Sequence, residues 1–139
     1  MLTTFRMREV TLQLDHEEDS IAKEIENCFS AWRVQDTPTP SARFHLRKGP
    51  VEVKIPEGAI RTRYWPEIDE WEFRLGKTNI DIVGTKVCAV KDYENRTVQF
   101  TYLEESPRAK QLATSAFRWM LVKCLEQEGF GYIHASAAQ

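Results

Sequence analysis

The chain has 139 residues, 42% of them apolar and 29% charged, which is enough for one domain with a sizeable core and too apolar for global disorder. A net charge of −2 with a pI near 6.0 excludes a global positive field that would recruit nucleic acid or anionic membrane. Arg118 and Lys123 interrupt the longest mostly apolar stretch, Ala113 to Leu125, and Met1 to Arg8 has no signal-peptide core, so a cytoplasmic protein without a membrane span is expected.

Val10, Leu12 and Leu14 alternate with Thr11 and Gln13, the period of a strand. The period then changes, and Ile21, Ile25, Cys28, Phe29 and Trp32 form one stripe of an amphipathic helix. Asp15 or Asp19 is placed to cap it, and the acidic run Asp15, Glu17, Glu18, Asp19 complements its dipole. The helix should end before Thr37-Pro38-Thr39-Pro40. From Phe44 to Leu103 the pattern is mostly β. Strands are expected around Phe44 and Leu46, Val51 to Ile55, Trp71 to Leu75, Ile80 and Ile82, Val87 to Val90, and Val98 to Tyr102, with Gly49, Gly58, Gly76 and Gly84 as turns. Asp92-Tyr93-Glu94-Asn95 reads as a hairpin connection.

Ser106 and Pro107 open a second amphipathic helix, with Leu112, Ala113, Ala116, Phe117, Met120, Leu121, Cys124 and Leu125 on its apolar face. Gly129 ends it, and Phe130 to Ala135 reads as a buried strand. The expected architecture over residues 1–139 is a single α+β domain: a largely antiparallel sheet with two amphipathic helices, ending in a buried strand.

Few residues carry an evident chemistry. Cys28, Cys88 and Cys124 are far apart, odd in number and set among apolar neighbours, which predicts buried free thiols in a reducing compartment. His16 and His45 read as solvated or sheet-surface residues, and nothing places the histidines at metal-ligand spacing. Five positions before Gly76-Lys77 stands Trp71, so the Gly-x-x-x-x-Gly-Lys phosphate cradle is absent.

Charge is unevenly spread. Asp15 to Asn27 is acidic, whereas Ser41 to Arg63 holds Arg43, Arg47, Lys48, Lys54, Arg61 and Arg63 against Glu52 and Glu57. Arg43, Arg47, Lys48, Arg61 and Arg63, beside Tyr64 and Trp65, form a candidate interaction surface. The simplest reading is a solvated sheet face, open to the chain's own acidic helix or to an acidic partner, because alternating charge is what an exposed face needs; a protein partner is expected rather than nucleic acid. Glu67, Asp69, Glu70 and Glu72 flank Trp65 and Trp71 and are expected to solubilise the loop and strand that carry them.

The run Phe117-Arg118-Trp119-Met120-Leu121-Val122-Lys123-Cys124-Leu125, then Gly129-Phe130-Gly131, then Tyr132-Ile133-His134-Ala135-Ser136-Ala137-Ala138 resembles a junction in HPr kinase/phosphorylase-like serine kinases. There, a helix, a glycine turn and a His-Ala strand precede the phosphate loop. The resemblance covers Pro107 to Gln139. It implies the N-terminal portion of a longer protein that transfers phosphate from ATP, with magnesium, to a hydroxyl. ATP and magnesium would then belong to the parent, with no cofactor and no complete active site in this chain, and His134 would lie near the nucleotide site. From the residues alone, the alternative is a small non-enzymatic protein-binding or assembly module that docks by its sheet edge or tryptophan-bearing loop.

Overall fold

The computed structural model describes residues 1–35 and 39–130. One nine-stranded sheet runs in the order β3-β1-β2-β4-β9-β8-β7-β6-β5. In chain order its strands are β1 (Leu2–Met7), β2 (Val10–Asp15), β3 (Arg33–Val34), β4 (Ala42–Lys48), β5 (Ile60–Trp65), β6 (Glu70–Leu75), β7 (Thr78–Val83), β8 (Val87–Asp92) and β9 (Thr97–Tyr102). Helix α1 (Ser20–Cys28) follows β2, and α2 (Pro107–Gln127) follows β9. The α+β expectation holds, but the sheet is mixed. β4 pairs parallel to β2 on one side and to β9 on the other. Both parallel pairs follow from long crossovers: α1 and β3 separate β2 from β4, and the β5–β8 meander separates β4 from β9. The remaining neighbours are antiparallel.

Asp19, not Asp15, caps α1, its Oδ1 accepting the Ala22 N–H at 2.7 Å. The helix buries Ile21, Ala22 and Ile25. It stops at Cys28, and a 3-10 turn (Ser30–Trp32) carries the chain on, so Trp32 leaves the buried stripe and is exposed. Ser106 caps α2, its hydroxyl accepting the Ala109 N–H at 3.0 Å, with Pro107 at the first helical position. Gly129, at φ +91°, reverses the chain behind the helix while the Phe130 N–H reaches the Leu125 carbonyl. Both helices lie on one face of the sheet. Phe117 of α2 stands at the centre, its ring 5.1 Å from Phe5, 4.8 Å from Phe29 and 5.6 Å from Phe44. On the opposite face a smaller cluster of Ile80, Ile82 and Cys88 is covered by Val51, Trp71, Phe73 and Val90.

Several expectations need correcting. Val51 to Ile55 is not a strand: Val51 packs against the smaller cluster, and Val53 and Ile55 are exposed. Cys28 is exposed, since it faces away from the Ile21–Ile25 stripe toward Glu24, whereas Cys88 and Cys124 are buried. His16 is buried, hydrogen-bonded to the Thr3 hydroxyl and the Glu17 carbonyl. The expected last strand lies, apart from Phe130, outside the described residues. No helix among the described residues is long and apolar enough to cross a membrane.

Candidate functional site

The helix-bearing face of the sheet changes character half-way across. Over β2, β4 and β9 it presents Leu12, Leu14, Phe44, Leu46, Phe100 and Tyr102, all buried under the helices. On β8 it turns from Val87 and Ala89 to Lys91, and on β7 and β6 it presents Asn79, Asp81, Glu70, Glu72 and Arg74. α2 packs against β2, β4, β8 and β9 and so leaves these outer strands open. Between them and the helix runs a groove of about 720 Å³. Its helical wall is the stripe Arg108, Gln111, Leu112, Ser115, Trp119, Lys123, Glu126 and Gln127, spaced one turn apart.

Buried ion pairs build the floor. Lys91 Nζ lies 2.5 Å from Asp81 Oδ2, with only 11% and 14% of the two side chains exposed. Burial pushes the Asp81 carboxyl above its ordinary range, and Lys91 pulls it back only in part. Glu70, 4% exposed, is not the solvating carboxylate expected: the Arg108 guanidinium donates to both its oxygens and ties α2 to β6. Glu72 accepts the Thr62 hydroxyl at 2.8 Å and stands 4.0 Å from Arg74. Six basic side chains and four carboxylates line the groove, leaving it two charges positive on a chain of net charge −2.

β5 forms the outer rim and the edge of the sheet. All six of its residues are exposed, and its pairing with β6 is interrupted by a register shift between Arg61 and Arg63. Arg63 and Trp65 face the groove, with the Arg63 guanidinium 5.7 Å from the Trp65 ring centre. Tyr64 lies on the opposite face, stacked at 3.9 Å on Trp71, and Arg61 sits over both rings. Among the described residues no carboxylate is ion-paired to Arg61 or Arg63.

The expected basic surface is therefore two separate places. Arg43, Arg47 and Lys48 sit on β4, with four strands between them and Arg61, Arg63, Tyr64 and Trp65 on β5. Arg47 is already engaged, donating to Asp15 at 2.9 Å, and His45 meets the same carboxylate at 3.0 Å. Burial pushes the Asp15 carboxyl upward, but these two hydrogen bonds prevail and hold it below its ordinary range. His134 lies outside the described residues.

Asp81, Lys91 and Arg108 did not stand out in the sequence, Lys77 did so only beside an absent phosphate cradle, and Trp119 only within the resembled run. The signal lay in the alternation itself, because Ile80 and Ile82 bracket Asp81 and Val90 precedes Lys91. Both sheet faces are used, and the second is charged. Among the described residues no group of three or more His, Cys, Asp or Glu side chains is placed to hold a metal ion. Comparison with protein-family models, curated proteins and solved structures gives no match.

Proposed function

We propose that this chain is a protein-binding module that takes an extended, acidic segment of a partner as an additional strand along β5. The supporting observation is the edge itself: six residues, every one exposed, against a two-residue strand at the opposite edge. Unpaired backbone groups along such an edge are a template for strand addition. Five exposed large apolar side chains lie on it or on the turn and strand that follow: Ile60, Tyr64, Trp65, Ile68 and Leu75. Arg61 and Arg63 and the bulge between them also guard the edge. By repelling basic strands they select acidic ones. The same charges disfavour self-pairing, since a two-fold axis through Thr62 or Arg63 sets arginine against arginine.

The test is a titration of 15N-labelled protein with a synthetic peptide of alternating glutamate and valine. Amides of Ile60 to Trp65 should shift and exchange more slowly, and Arg61→Glu or Arg63→Glu should each weaken binding roughly tenfold. An equal response to a lysine–valine peptide overturns the proposal. Concentration-dependent dimers without peptide binding would assign the edge to a second copy instead.

A second reading, the N-terminal portion of an HPr kinase-like parent, is favoured by the order at the end of α2. The helix capped by Ser106 is followed by Gly129 in the left-handed region, an order that the resembled junction shares with many helix ends. A phosphate-loop sequence encoded directly after Gln139 supports this reading, and its absence removes it. Tight Mg-ATP binding by residues 1–139 alone would also count against it, because the parent's nucleotide site would then lie here.

A further inference from the structure

We infer that the groove beneath α2 is a second binding site, for a small organic anion that carries a phosphate or carboxylate beside a flat ring. Its volume of about 720 Å³ falls in the usual range for small-molecule sites. Each of its four carboxylates already has a basic neighbour within 4.0 Å. Two lining cations, Arg63 and Lys77, have no carboxylate ion-paired to them among the described residues. Arg63 pairs in register with Glu72, so Arg74, two residues further along β6, is its diagonal neighbour on the same face, roughly 7 Å away between Cβ atoms. Arg74 itself is already held by Glu72 and donates to Asn79, so Arg63 and Lys77, in the turn beyond, are the cations left to meet an anionic head group. Trp65, Tyr93 and Trp119 line the same space, with Arg63 over Trp65 and Lys123 over Tyr93, and make an aromatic wall for the remainder of the ligand.

The floor argues the same way. An uncovered sheet face needs only solvated charge, yet Lys91 and Asp81 are held there almost fully out of water. Burying a pair costs desolvation that apolar packing would not. What it secures here is a rigid polar floor whose own charges are already matched, so an incoming anion meets only the unmatched cations at the rim.

Trp65 and Trp119 make occupancy readable. The protein is titrated with phenyl phosphate, phenylacetate, inorganic phosphate and neutral phenol, following indole and amide resonances. Phenyl phosphate or phenylacetate should saturably shift the Trp65 and Trp119 indoles and the Lys77 amide, and the tighter of the two identifies the head group. Lys77→Gln and Arg63→Gln should each weaken that binding roughly five- to tenfold, the loss of one charge-assisted contact. Inorganic phosphate should shift Lys77 without the indoles. Indoles that stay unmoved, or that respond equally to phenol, overturn the inference. The peptide titration reads β5 amides and is unaffected by Lys77→Gln, so failure at the edge and failure in the groove are told apart.

Discussion

Replacing Lys91 by methionine should destabilise the fold in a way that depends on pH. Methionine keeps most of the lysine stem's volume but removes the ammonium 2.5 Å from Asp81. The carboxylate left behind is 14% exposed, and stranding one partner of a buried pair costs about 3–5 kcal/mol. Asp81 already sits above the ordinary carboxyl range because of burial, and losing Lys91 moves it further up. A folded-state carboxyl raised above its unfolded value keeps the folded form protonated over a window in which the unfolded chain has ionised. Stability therefore falls as pH rises through that window. In urea unfolding, Lys91→Met should cost little near pH 4, where the folded chain keeps the proton and the unfolded chain has lost only about half of its own, and the full amount once pH exceeds the raised folded value. The double variant Lys91→Met, Asp81→Leu should return to within about 1 kcal/mol of the parent, since apolar replacement of a buried pair is often neutral or better. A Lys91→Met protein as stable as the parent at pH 8, or equally destabilised at pH 4 and pH 8, would show that water reaches this pair and that the floor is not the rigid element described.

Asp19 serves two elements at once, capping α1 through Oδ1 while Oδ2 accepts the Tyr102 hydroxyl at 2.6 Å. Asp19→Ala should cost about 2–3 kcal/mol, roughly 1 for the cap and the rest for a stranded hydroxyl. Tyr102→Phe should cost about 1 kcal/mol, and a double-mutant cycle in urea should show coupling of about 1 kcal/mol. Burial, reinforced by Asp19, raises the Tyr102 hydroxyl well above its ordinary range. The folded chain therefore keeps a proton that the unfolded chain loses above pH ~10. Stability should fall beyond that pH, with Tyr102 ionising only on unfolding when tyrosinate absorbance is followed. Of the three cysteines, Cys28 alone should react with a maleimide in the native state, being exposed although partial burial and Glu24 raise its thiol, whereas burial covers Cys88 and pushes Cys124 to about 11. Arg108→Ala should strand the buried Glu70 and cost about 3 kcal/mol, more than an exposed salt bridge, by thermal or urea melt.

The elements that local chemistry dictates were readable from the chain. α2 announces itself by Ser106, Pro107 and Gly129, and the structure uses all three. Strands β6 to β9 follow their alternation within a residue or two. What failed was whatever depended on partners distant in sequence. Val51, Val53 and Ile55 alternate as well as any true strand, but Pro50 and Pro56 flank them and no neighbour pairs with them. Conversely, no strand is expected over Ile60 to Trp65, which becomes one because β6 offers it an edge. The parallel pairs of β4 were invisible for the same reason, since parallel pairing is decided by crossovers rather than by any local pattern.

The groove shows why a site of this kind hides in a sequence. In a strand covered on both faces, every residue has a structural duty, and a charged residue between two isoleucines looks like the solvent side of an ordinary sheet. Asp81 is such a residue, and only the reach of α2 decides whether it meets water or a wall. α2 packs on β8 and β9 and reaches β6 through the Arg108–Glu70 pair, so Asp81 on β7 is held largely out of water, whereas Arg43, on the opposite face of β4, is exposed. Charge placement thus acquires meaning from the helix position, and the helix position is fixed by Phe117 among Phe5, Phe29 and Phe44. Phe117→Ala, besides costing about 3–5 kcal/mol for the cavity, should loosen the groove's helical wall. In a calorimetric or urea experiment on that variant, a further Lys91→Met change should then cost less than it does in the parent, because a floor opened to water no longer strands its carboxylate. Strict additivity of the two changes would mean that the core and the groove floor are independent.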